Sequence, residues 1–361
     1  LIHKQINGEL LTMEREGFKY HWWGKGDIDA SFGIFFDGFS KILTATGIMT
    51  MVFGMPARIV IGKVVPGIGL AIFLGNLWYF YEARQLAIRE RRQDVTSQPF
   101  GIGASQLSGW LYLIIGPVYW QTKDAELAFQ VGLAAAFIGG MVEIAGGFAG
   151  RWIIDNIPNC ALMGNMASSA MVWLSIVGLA MVFDKPVYGL LPLFIIIIDY
   201  LGKADKRFAK IPSGVAAILI GTAVAWAGGY QTWERFEQSF ASIGFYPPSL
   251  SAGDILAGFK GIVPFLPVII PLQINNFLST LQGLESARMA GDTYPERRSM
   301  IMDGVSTIAG SLFGNPFPTT VYFGHPGWKE LGARAGFSLV NGGLYLAEYN
   351  GAAGCSQQWK D

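Results

Sequence analysis

The sequence predicts an all-α polytopic membrane protein, an inverted repeat of seven spans with short extended segments opening the third and tenth spans. Three observations lead there. Hydrophobic residues make up 52% of the 361 and charged residues only 14%, against roughly 25% charged in a typical soluble domain. The apolar residues fall into repeated stretches of about 20 nearly uncharged positions, the length of a membrane-crossing helix. Two of these stretches are opened by broken pieces, QPFG (Gln98 to Gly101) and NPFP (Asn315 to Pro318).

Residues 1–30 are polar and aromatic and end in YHWWGKGD, with Trp22 and Trp23 suited to the headgroup level. No short apolar run with a small-residue cleavage site follows, so they do not read as a signal peptide. Residues 31–230 are expected to hold the first repeat, with spans near 32–56, 60–82, 100–120, 128–149, 159–182, 187–201 and 211–230. Residues 231–258 form a connection carrying Glu234, Glu237 and Asp254. Residues 259–361 hold spans near 262–284, 300–313 and 319–348, the last in one or two pieces. A seven-span unit repeated calls for fourteen spans, and this sequence supplies ten or eleven, so the second repeat reads as incomplete.

Basic residues cluster after even-numbered spans, in RQLAIRERR (Arg84 to Arg92), KADKRFAK (Lys203 to Lys210) and around Arg288, Arg297 and Arg298. The positive-inside rule then puts the N-terminus in the cytoplasm; the membrane is expected to be a bacterial inner membrane or a plasma membrane, with an organelle membrane as the alternative. Net charge is zero, which gives no argument for a nucleic-acid partner. Two cysteines and three histidines, none at metal-ligand spacing, give no basis for a disulfide framework, a metal site or catalysis. The chain therefore reads as a transporter rather than an enzyme.

An odd number of spans per unit orients the two units oppositely. Paired interruptions in such halves point to a central binding site. Extended backbone survives at membrane depth only inside protein or along a cavity, and the helices that follow would direct their free N–H groups at a ligand. Several side chains are candidates there. Gln98 is held extended by Pro99. Phe100 and Phe317 match across the repeat and could stack on a flat ring. Thr319, Thr320 and Tyr322 bring hydroxyls that either contact a ligand or cap a helix. His325 either bonds a ligand or a backbone carbonyl. Glu285 either binds a ligand N–H or pairs with Arg288, one turn on. Asp37, Glu143 and Asp303 are acids inside or at the rim of spans. Each is either an ion relay for H+ or Na+ or a structural residue, Glu143 among close-packing glycines and Asp303 at a helix start.

These stretches resemble the nucleobase–cation symporters that include xanthine and uracil permeases. The resemblance rests on QPFGIG (Gln98 to Gly103), LQGLESARMAGD (Leu281 to Asp292) and DGVSTIAGSLFGNPFPTTVYFGHPG (Asp303 to Gly327). It implies seven-plus-seven inverted repeats, interleaved core and gate domains, and dimers formed through the gate. It implies a nucleobase-like solute between the third and tenth spans, moved with H+ or Na+ and no other cofactor. By the same resemblance Glu285 holds the base, the N–H groups after Phe100, at Gly101, and after Phe317 receive its carbonyls, and Tyr322 stands for the tyrosine of a T-T-Y motif. Gly324 and His325 depart from the acid-Asn pair expected there. Two other readings follow from that departure: a small-anion transporter of the same fold, and a non-transporting scaffold subunit in a larger membrane complex.

Overall fold

In the computed structural model the described residues are 18–156, most of 158–201, 213–230, 232–234, 237 and 246–347. The basic run from Lys203 to Lys210 lies outside them. Helix α1 (Asp27–Gly47) continues into a π turn at Ile48–Val52. Helix α2 (Ala57–Glu90) runs past its predicted end and stops at Arg91, which takes a left-handed conformation. Strand β1 (Phe100–Ile102) leads into α3 (Ala104–Trp110), which passes through a π turn into a further helix ending at Thr122. Helix α4 (Ala125–Gly146) starts at Asp124, whose carboxylate accepts from the N–H groups of Glu126 and Leu127. Next come α5 (Gly150–Asn156), α6 (Val177–Asp184), α7 (Pro186–Leu201), α8 (Ser213–Ala227) and α9 (Ala252–Gly258). The second broken region is framed by α10 (Leu266–Met289), α11 (Glu296–Leu312), β2 (Thr319–Val321), α12 (His325–Glu330) and α13 (Gly336–Ala347).

The architecture is helical and suited to a membrane. Three helices among the described residues are long and apolar enough to cross one: Ala57–Glu90, Ala125–Gly146 and Val263–Met289. Pro186–Ile198 and Gly214–Ala227 are shorter apolar helices. The full seven-plus-seven plan is thus not laid out by these residues. The region expected as one or two pieces at 319–348 is divided further, into a strand and two helices. Large apolar side chains such as Phe194 and Ile198 on α7 and Leu219 on α8 are exposed; in a membrane protein such a face meets lipid.

Two contacts position the site. The antiparallel strands pair Phe100 with Val321, Gly101 with Thr320 and Ile102 with Thr319, and Tyr322 N–H donates to Pro99 O over 2.7 Å. The two broken stretches therefore meet, and each satisfies the other's backbone groups. Beneath them α4 crosses α11 at Gly140 and Gly304. A Cβ at Gly304 would stand 2.6 Å from Gly140 O, and one at Gly140 would stand 2.7 Å from Gly304 O. The glycines let the two backbones touch. The sequence places Glu143 and Asp303 beside that crossing.

Candidate functional site

The prolines explain why the two stretches are extended. Pro99, Pro316 and Pro318 offer no N–H, and each restrains the residue before it to extended geometry. Side chains satisfy what the strand pair leaves over. Asn315 closes a local turn, donating to Phe317 O and accepting from Phe317 N–H. Thr319 N–H donates to Thr307 Oγ1, Asn276 donates to Thr319 O, and Asn76 donates to Phe100 O. Non-helical backbone at membrane depth needs such partners.

A cavity of about 150 Å³ opens beside the strands. Its walls come from α1 (Gly33, Ile34, Asp37, Lys41), the start of α3 (Gly103 to Gln106), Ser279 of α10, and Thr320 to Phe323 with Trp328. Both broken regions therefore contribute to one space. Gly103 is extended (φ −69°, ψ 144°) and caps α3. The first bond of that helix is Leu107 N–H to Gly103 O. The N–H groups of Ala104, Ser105 and Gln106 precede it and form the positive helix end at the cavity wall.

The second opening is built differently. Tyr322 to Gly324 separate β2 from α12, Gly324 turns at φ 113°, and α12 has only six residues. That helix is too short to act as a second dipole, so the expected pair of facing helix ends reduces to one. Instead the second opening contributes the Thr320 and Tyr322 side chains.

A cation completes the cavity. The Lys41 side chain is 11% exposed, pairs with Asp37 one turn before it, and lies 4.0 Å from the centroid of the Tyr322 ring. Sequence reasoning missed Lys41, although FDGFSKIL puts a lysine inside an apolar span four residues after a noted acid. That spacing was the available signal.

The other expected site residues lie as follows. Asp37, Thr320 and Tyr322 line the cavity. Gly101 faces Tyr322: a Cβ there would come 2.2 Å from the phenol oxygen. Gln98, Phe100, Thr319 and Phe317 are fully buried and outside the lining. Phe100 packs on Tyr79 of α2 with ring centroids 5.5 Å apart. Glu285 also lies outside the lining; its carboxylate accepts from Arg288 over 2.8 Å.

His325 turns away to a cluster that ties both openings together. Its Nε2 lies 2.9 Å from Thr96 O and 3.3 Å from Asp292 Oδ2. Asp292, fully buried, also accepts from Thr96 N–H, Arg92 and Lys329. Burial opposes charge on Asp292, but the hydrogen bonds from His325, Lys329 and Thr96 N–H prevail and hold its carboxyl below the ordinary aspartate value. The segment before β1 is thereby locked to α12, after β2. Glu143 and Asp303 lie in a second buried network behind the strands. Among the described residues no group of three or more His, Cys, Asp or Glu could hold a metal ion.

No family model and no curated protein matches the sequence. Among solved structures, the transmembrane domain of a cyanobacterium bicarbonate transporter, BicA, matches with a TM-score of 0.54 and 15% identity. The match covers 93% of this chain and 87% of that one. Likeness at that identity shows the fold alone: this chain shares the helical fold of that transmembrane domain. It does not single out the nucleobase symporters.

Proposed function

We propose that the chain is a secondary transporter of a small anion, bound in the cavity at Lys41. The observation that carries this reading is a largely enclosed ammonium group, its side chain 11% exposed, that lines the same cavity as the N-terminal end of α3. Two positive elements, one a side chain and one a helix end, bound a single small space. Asp37 neutralises Lys41 while the cavity holds no solute, and an incoming anion takes its place. Tyr322 supports the ammonium from the ring face, and the N–H groups of Ala104 to Gln106 supply the hydrogen-bond donors. The likeness to a bicarbonate transporter's membrane domain supports an oxyanion such as bicarbonate or sulfate. Movement follows the inverted-repeat logic, one bundle rocking against the other around the fixed site, with H+ or Na+ as coupling ion and the N-terminus cytoplasmic. Assembly as a homodimer belongs to the same reading.

The nucleobase alternative draws on Gln106, which lines the cavity and could read a ring edge. It asks Glu285 to bind the base, yet that carboxylate is held by Arg288. Uptake into proteoliposomes separates the two. Labelled bicarbonate or sulfate should accumulate and uracil and xanthine should not compete. Lys41→Met should lower anion uptake at least tenfold, or about 1.4 kcal/mol, while Glu285→Gln changes it less than twofold. Uracil uptake that survives Lys41→Met and is lost in Glu285→Gln would refute the anion reading.

A further inference from the structure

Behind the strands lies a polar network that the anion site does not use. Glu143 comes from α4, Asp303 from α11, Gln273, Asn276 and Thr280 from α10, and Tyr79 from α2; all are fully buried. Glu143 Oε2 accepts from Gln273 Nε2 over 3.2 Å and from Asn276 Nδ2 over 3.0 Å. Asp303 Oδ1 accepts from the Tyr79 hydroxyl over 2.6 Å. The Thr280 hydroxyl oxygen has three oxygen neighbours: Asp303 Oδ2 at 2.6 Å, Thr320 Oγ1 at 2.9 Å and Glu143 Oε1 at 3.3 Å.

Counting hydrogens decides what this network contains. Thr280 owns one hydrogen and can give it to one neighbour. The shortest contact assigns it to Asp303. Thr320 then donates to Thr280 through its own hydroxyl. The contact with Glu143 needs a hydrogen as well, and only Glu143 can supply it. With Glu143 neutral, its Oε1–H donates to Thr280 and its Oε2 accepts both amides. Every one of these contacts is then satisfied, with one proton for two carboxyl groups. Neither acid pairs with a cation among the described residues. Around the network Lys41 pairs with Asp37, Arg298 with Glu82 and Arg288 with Glu285. Two unscreened carboxylates bridged by one hydroxyl would be costly. The amide oxygens of Asn276 and Gln273 are also buried without partners, acceptors ready for a carboxyl hydrogen if either amide turns.

We infer that Glu143 and Asp303 share one proton through the Thr280 hydroxyl, and that loading of the cavity exchanges it. The second half rests on the transport reading; the first does not. The transfer balances. The Glu143 Oε1–H bond breaks as Thr280 Oγ1 gains that hydrogen, and Thr280 releases its own to Asp303 Oδ2. Glu143 becomes the carboxylate, Asp303 the acid, and the hydroxyl is restored. Thr320 joins this relay to the cavity, because it lines the cavity and bonds Thr280.

Infrared spectroscopy of the purified chain tests the sharing without any substrate. The protein should show the carbonyl stretch of a buried protonated carboxyl group at neutral pH. Glu143→Gln should abolish it, Asp303→Asn should shift it, and Thr280→Ser, which keeps the hydroxyl and the packing, should preserve it. No such band in the parent protein, or a band untouched by Glu143→Gln or by Asp303→Asn, overturns the sharing. Adding sulfate to weakly buffered protein tests the exchange. An anion beside Thr320 favours a second proton on the pair, drawn from the medium onto the remaining carboxylate. The medium should therefore turn alkaline with the parent protein and stay constant with Asp303→Asn, whose remaining acid is already neutral. If the infrared result holds and sulfate binds with no pH change, the shared proton stands and its coupling to loading fails.

Discussion

The two openings share a proline signature and pair strand to strand, yet they supply different things to the cavity. The first runs from β1 through extended Gly103 straight into a helix that continues to Thr122, so its contribution is backbone N–H groups at a helix end. The second interposes Tyr322 to Gly324 before a six-residue helix, so its contribution is side chains: Thr320 toward the proton network and Tyr322 under Lys41. A repeat that looks symmetric in sequence has divided its work between dipole and side-chain chemistry.

The strongest way to break this comparison is to separate what holds both openings. Gly304→Leu forces a side chain into the crossing where a Cβ already stands 2.6 Å from Gly140 O. Loss of about 3 kcal/mol or more is expected for overpacking against backbone, read as a large drop in thermal stability in detergent. Unchanged stability would mean that the crossing does not support the site.

Next in size is the cluster that locks the two openings at Asp292. Its carboxyl is held below the ordinary value. The linked stability is therefore complete above the unfolded-state value, about 4, and disappears as pH falls through the lower folded-state value. Asp292→Asn should lower the midpoint of thermal unfolding at pH 7 and flatten its decline on acidification. A variant that keeps the parent's acid profile would show that Asp292 carries no such linkage.

Two smaller changes sharpen the division of labour. Ala104→Pro deletes an N–H at the first helical position, where proline is tolerated, and Gly103 already has the extended geometry that must precede it. Gly101→Ala puts a methyl group 2.2 Å from the Tyr322 oxygen and moves that ring from under Lys41. Each should weaken anion binding about tenfold, the first by losing a donor and the second by displacing a side chain. Only Gly101→Ala should also alter the fluorescence or the near-ultraviolet dichroism of the cavity aromatics. Equal spectral changes in both would erase the distinction.

Much of this was legible in the sequence for physical reasons. Prolines in apolar stretches announce backbone that needs a partner, and the two stretches are each other's partner. Glycines beside Glu143 and Asp303 announce close helices, and closeness brings those acids to one hydroxyl. The rest depended on contacts between distant segments. Nothing local tells that Gly324 will turn at positive φ and shorten the helix after β2. Glu285 took its expected role from a resemblance, while its neighbour Arg288 takes its charge in the fold. Lys41 escaped because the pair it makes with Asp37 looks like an ordinary helical ion pair until the cavity around it is seen.

The central claim is that one cavity, shared by both openings, holds an anion at Lys41. A structure determined with selenate, an oxyanion with a strong anomalous signal, tests it most directly. The account predicts selenium within one hydrogen-bonded shell of Lys41 Nζ, with oxygens toward the first N–H groups of α3 and Asp37 moved off the lysine. Selenate bound elsewhere, or an empty cavity with the Lys41–Asp37 pair intact at saturating selenate, would contradict it.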